Sequence, residues 1–269
     1  MNIFFQDYIE RKELMQFITS FKSIAWVGYL MRESDCSTVY QLIKAQSSDD
    51  PKIQSKFQPK SELRFLYRKL CGENLRVRTR IEMYEEIVPG SESILQHPLF
   101  TMLGALHVDS WLFPVTQESE IEKLPAGFKN KLRRIKMRFS KELLSPMKSS
   151  TISQFLKGDS LDCLAALLML YEICHQQYVR PAFFRALEKS MFRLVIRMFC
   201  FHYDPRWAYK FLKLVQLKIN DIYAVRSPIK RFIENSPRKK EYVPAFFNRV
   251  NSEPCLLRLI RRTKAINQK

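Results

Sequence analysis

The sequence predicts a mainly α-helical protein, with a multi-helix, bundle-like C-terminal part joined to a helical N-terminal part that has room for a small β-hairpin. Three observations carry this prediction. Apolar residues recur at three- and four-residue intervals over long stretches, the period of a helix with one buried face. Prolines stand at segment starts and in polar connections rather than inside the periodic runs. Glycine is scarce, 6 of 269 residues, which disfavours turn-rich sandwiches and barrels and glycine-rich phosphate loops. A hydrophobic content of 46% with 13% aromatics suffices for a buried core and excludes disorder throughout.

Residues 3–32 read as helix, with Phe4, Tyr8, Met15, Ile18 and Leu30 near the 3.6 period and no intervening proline. Ser37 or Ser34 is positioned to cap a short helix through Lys44. Gln46–Lys60, polar and holding Pro51 and Pro59, reads as a loop, and Glu62–Cys71 as a helix closed by Gly72. Leu75–Met83 alternates: Arg76, Arg78, Arg80 and Glu82 fall on one side, Val77, Thr79, Ile81 and Met83 on the other. That is a strand pattern, either an arginine face for phosphates or a charged edge strand, with Val108–Val115 as pairing partner.

Glu118, Glu120 and Glu122 precede Pro125, which opens a helix with the apolar seam Phe128, Leu132, Ile135, Phe139 and Leu143. Pro146 ends it. Asp159 or Ser160 caps Leu161–Tyr178, apolar nearly all round and hence the expected central helix. Pro181 precedes a helix over 182–203, and Asp204-Pro205 starts another to about Val225. Ser227-Pro228 repeats that signature for a short helix to Glu234, and Ser252–Lys264 reads as the last helix.

Charge divides the chain. Residues 1–122 hold 14 Lys/Arg and 17 Asp/Glu, whereas 123–269 hold 31 and 10. The whole excess of the formal +18 therefore lies in the second part, which attracts a polyanionic partner. We expect a near-neutral protein-interaction region at 1–122 and a basic, nucleic-acid-binding region at 123–269.

The candidate contacts follow from helical geometry. On 182–203, Phe184, Leu187, Met191, Leu194, Val195 and Met198 share one arc, while Arg185, Lys189, Arg193 and Arg197 step along the other side every four residues. Each step rises about 6 Å, near the spacing of phosphates along a strand. An ordinary solvated face mixes signs, and here only Glu188 intrudes, near the edge. The helix at 128–143 is similarly basic, through Lys129, Lys131, Arg133, Arg134, Lys136, Arg138 and Lys141. Arg238, Lys239, Lys240, Arg258, Arg261 and Arg262 add a C-terminal group, with Tyr242 placed to stack on a base. The competing reading of the 182–203 row is a solvated face and that of the C-terminal group a frayed, solvated end, whereas the 128–143 helix could instead lie against an acidic protein or an anionic membrane surface.

Catalytic signatures are missing: the sequence has no Walker A loop, GxGxxG or GxSxG. Cys174-His175 and Cys200-x-His202 are the only close Cys/His pairs, and adjacent helical residues point about 100° apart, so small buried thiols are expected rather than a metal centre. Neither a secretion signal nor the roughly 18-residue apolar run of a spanning helix is apparent. The reading is a non-catalytic nucleic-acid-binding component of a larger complex. It would contact backbone without strong sequence preference, need no cofactor or metal, not insert in a membrane, and reside in the cytoplasm, or at the nucleoid or nucleus if DNA-bound. A protein partner would engage the N-terminal part. The alternatives are a scaffold subunit docking an acidic protein, and a nuclease or other enzyme.

Overall fold

The structure, a computed structural model, describes residues 3–46, 58–104, 115–141, 147–158, 160–175, 179, 181–224 and 253–267. Among them the regular structure is helical. In chain order the helices are α1 (Ile3–Glu33), α2 (Val39–Gln46), α3 (Pro59–Leu70), α4 (Arg78–Ile87), α5 (Ser91–Leu95), α6 (Pro98–Gly104), α7 (Val115–Glu122), α8 (Ala126–Lys141), α9 (Ser149–Ser153), α10 (Ser160–His175), α11 (Pro181–Phe201), α12 (Ala208–Ala224) and α13 (Glu253–Asn267). A 3-10 turn, Pro205–Trp207, leads into α12. Contacts group the chain into two compact units, Met1–Phe100 and Thr101–Lys269. The sequence charge step at 122/123 thus falls inside the second unit. The first unit carries 14 Lys/Arg against 13 Asp/Glu, the second 31 against 14.

In the first unit, α1 supplies Trp26, Val27 and Leu30 to a core completed by Val39 and Leu42 of α2, Phe65 and Leu66 of α3, and Tyr84 of α4. The expected cap of α2 is corrected by one residue. Thr38 Oγ1 accepts from Gln41 N at 3.2 Å, and Gln41 Oε1 accepts from the backbone N–H groups of Ser37 and Thr38. This is a reciprocal capping box. Gly72, at φ 87°, ends α3 as expected, with Glu73 N donating to Arg68 O and Gly72 N to Lys69 O.

The β-hairpin is not formed. Arg78–Ile87 is helix α4, the residues 108–114 of its supposed partner lie outside the described residues, and Val115 begins α7. Interactions one helical turn apart and with α3 explain the outcome. Arg78 pairs with Glu82 at i, i+4, 2.9 Å, a contact that a strand would break. Arg80 turns toward α3, pairs with the buried Glu62 at 3.3 Å and stacks on the Phe65 ring at 4.2 Å. Tyr84, one turn on, is fully buried edge-on against Trp26 and donates its hydroxyl to Glu62. Burial raises the Glu62 carboxyl above its ordinary range, against the lowering effects of Arg80 and the Tyr84 hydrogen bond. The arginine face is therefore partly internal structure.

In the second unit, α10 is the central helix: every residue from Cys163 to Tyr171 is buried. Helices α7, α8, α11 and α12 all pack on it, and α11 is further covered by α9, α12 and α13. Asp204 caps the 3-10 turn through Arg206 N, 2.9 Å, as its place before Pro205 requires. Cys163, Cys174 and Cys200 are buried free thiols. Burial pushes the Cys174 thiol well above its ordinary range, so it packs as a small apolar group. No described helix is long and apolar enough to cross a membrane.

Candidate nucleic-acid interface

Helix α11 is enclosed on most of its circumference. Phe183, Leu187, Met191, Phe192, Leu194, Val195, Ile196, Met198, Phe199 and Cys200 are all buried, because α9, α10, α12 and α13 pack around it. Phe184, expected on the apolar arc, is half-buried and meets Tyr171 edge-on at 5.1 Å. What remains exposed between the first and last turns is a narrow ridge: Arg185, Lys189, Arg193 and Arg197. None of these four makes an ion pair among the described residues. The helix contains one acid, Glu188. It does not flank the ridge, as its sequence position suggests, but is fully buried, with Tyr171 Oη donating to Glu188 Oε1 at 3.1 Å. The exposed side chains along the ridge are thus of one sign.

Helix α8 is different. Its cations are answered within the unit by α7, which forms an antiparallel hairpin with it. Glu122 pairs with Lys129 at 3.4 Å and with Arg133, and Glu118 pairs with Lys136. Lys131 Nζ donates to Gln154 O at 2.8 Å and lies over the stacked rings of Phe128 and Phe155. Arg134 and Arg138 are exposed. Glu118 and Glu122, from the acidic run that closes the near-neutral 1–122 part, are therefore counter-charges of α8. Of the expected α8 seam, Phe128, Leu132 and Phe139 are buried and Ile135 is half-buried, while Leu143 lies outside the described residues.

Helix α13 packs on α11 and α12, with Leu256 and Ile260 buried and Cys200 Sγ donating to Ile260 O at 3.5 Å. Arg258 and Arg261 are exposed. The Arg262 side chain, the Arg238-Lys239-Lys240 run, Tyr242 and the helix expected at 228–234 lie outside the described residues. Phe211 is buried in the core, and Trp207 is half-buried beneath Lys210, whose Nζ lies 5.9 Å from its ring.

One residue of this surface escaped the sequence reading. Phe201, the last residue of α11, is 49% exposed. It lies four residues beyond Arg197, so it continues the step that links the cations. That spacing was available in the sequence; its exposure was not, because an aromatic at a helix end reads as core. Among the described residues no three His, Cys, Asp or Glu side chains come together as a metal site. Comparison with protein-family models, with curated proteins and with solved structures finds no match for the chain.

Proposed function

We propose that the chain binds nucleic-acid backbone through the ridge of α11, with little sequence preference, as a non-catalytic component of a larger assembly. The observation that carries this reading is that all four exposed ridge positions are cationic and unpaired among the described residues, while the helix's one acid is buried. Cations about 6 Å apart along the axis match the repeat of a phosphate chain. A solvated face kept only for solubility carries acids as well. Base-edge readout is disfavoured, because a helix covered on its other sides has no free flank to enter a groove about 12 Å wide. The near-neutral first unit, with Tyr40 exposed at 63%, is the part we assign to a protein partner.

The test is a salt titration of oligonucleotide binding with the full chain and with the variant Arg185→Gln/Lys189→Gln/Arg193→Gln/Arg197→Gln. The full chain should lose affinity steeply with salt, and the variant should bind more weakly at every sequence, with a slope reduced by about 0.7–0.9 per lost contact. Its stability should move by no more than about 0.5 kcal/mol per site. Unchanged binding by the folded variant overturns the assignment. Binding to polyaspartate but not to oligonucleotides transfers the ridge to an acidic protein partner.

A further inference from the structure

The ridge does not run straight. Four residues advance an α-helix by about 400°, so each step turns the next cation by about 40°. Between Arg185 and Arg197 the ridge climbs about 18 Å and turns through about 120°. A duplex is stiff over about 150 base pairs and meets such a surface along a tangent, reaching part of the ridge while the rest points away. A single strand has no such stiffness and can follow the turn. At the end of this path stands Phe201, one step past Arg197, with the residue half exposed to solvent. Its neighbours Phe199 and Cys200 are buried, so they already serve the core at this end of the helix. A flat apolar ring next in line to a row of phosphate-binding cations is the pairing that holds unpaired bases, since every base presents a face to stack.

We infer that the α11 ridge is a single-strand track, on which Arg185, Lys189, Arg193 and Arg197 hold successive phosphates and Phe201 stacks a base. This rests on the backbone-binding reading above and adds the form of nucleic acid and the stacking residue. Charge complementarity commits the surface to a polyanionic strand, and the aromatic end distinguishes a strand bearing bases from a polyanion without them.

The test uses the full chain, labelled oligothymidylate, a strand of equal length with abasic sugars, and a duplex of that length. The full chain should prefer oligothymidylate to both other probes. Phe201→Ala should weaken oligothymidylate binding about 5- to 150-fold, the range for loss of one stacked base. It should leave the abasic strand and the duplex unaffected and the salt slope unchanged, because no phosphate contact is removed. Phe201→Leu keeps apolar bulk at the helix end without a π face, and it should show the same loss. That variant keeps the test valid where the alanine variant folds poorly. Salt-dependent binding that is equal for all three probes, or indifferent to both Phe201 variants, overturns the single-strand track and leaves backbone binding standing. Absence of salt-dependent binding to any probe overturns both.

Discussion

Tyr171 on α10 donates its hydroxyl hydrogen to the Glu188 carboxyl on α11, 3.1 Å away at the buried face between the two helices. The contact ties packing to surface charge. It draws the one acid of α11 into the interior, so the solvent side of the same turn is left to Arg185 and Lys189. A carboxyl in this place needs a donor, because a buried acceptor left unmet costs about 1–3 kcal/mol.

Tyr171→Phe keeps the ring, its packing against Phe184 and its stacking on His175, and removes only the hydroxyl. Stability should fall by about 1–2 kcal/mol, read from the midpoint of a urea titration with an unchanged slope. Oligonucleotide affinity per folded molecule should stay the same, because the ridge cations are untouched. A loss of affinity without a loss of stability would contradict the division between inward acid and outward base.

Glu118→Gln/Glu122→Gln tests the counter-charges of α8. The pairs are exposed, so stability should change by no more than about 1 kcal/mol per pair. Lys129, Arg133 and Lys136, released from α7, become available to phosphates. Affinity for an oligonucleotide should rise, and its salt slope should steepen by about 0.7–0.9 for each cation recruited. An unchanged slope would mean that α8 takes no part even when its charge is free.

Glu85 gives the first unit a signed pH dependence. Its slight burial favours the neutral form, but hydrogen bonds from the N–H groups of Glu92 and Gly90 and from the Ser91 hydroxyl outweigh this and lower its titration below the usual 4.5. A depressed carboxyl stabilises the fold above its unfolded value, and the contribution is lost as pH falls from there through the lowered folded value. Glu85→Gln should therefore melt lower than the parent protein at neutral pH. The two melting curves should converge in acid, and parallel pH profiles would show that the carboxylate does not anchor the start of α5.

Much of this architecture could be read from spacing alone. The four-residue step of Arg185, Lys189, Arg193 and Arg197 needs only the helical period, as does the all-round apolar run that became α10. The Leu75–Met83 segment misled because a run of nine residues can satisfy a period of two, while the partners that decide for helix, apart from the Arg78–Glu82 pair, lie beyond it. Tyr84 follows the run, and Glu62 and Phe65 belong to the preceding helix. The masking of α8 was hidden for a related reason. Glu118 and Lys136 are 18 residues apart in sequence and meet only when the chain reverses at Pro125. Glu188 looked like a flaw in a basic face because its partner Tyr171 lies on another helix.

The enclosure of α11 also bears on how this surface can change over generations. Eleven of its other positions, from Phe183 to Cys200, are buried, where a substitution costs stability. The four ridge positions carry no such duty, so each cation can be gained or lost with little effect on the fold. Grip strength can therefore drift in single-charge increments while the scaffold beneath stays fixed. In a mutational survey scored for folding alone, tolerant sites should recur along α11 at every fourth residue, and the same sites should be the intolerant ones when the survey is scored for strand retention.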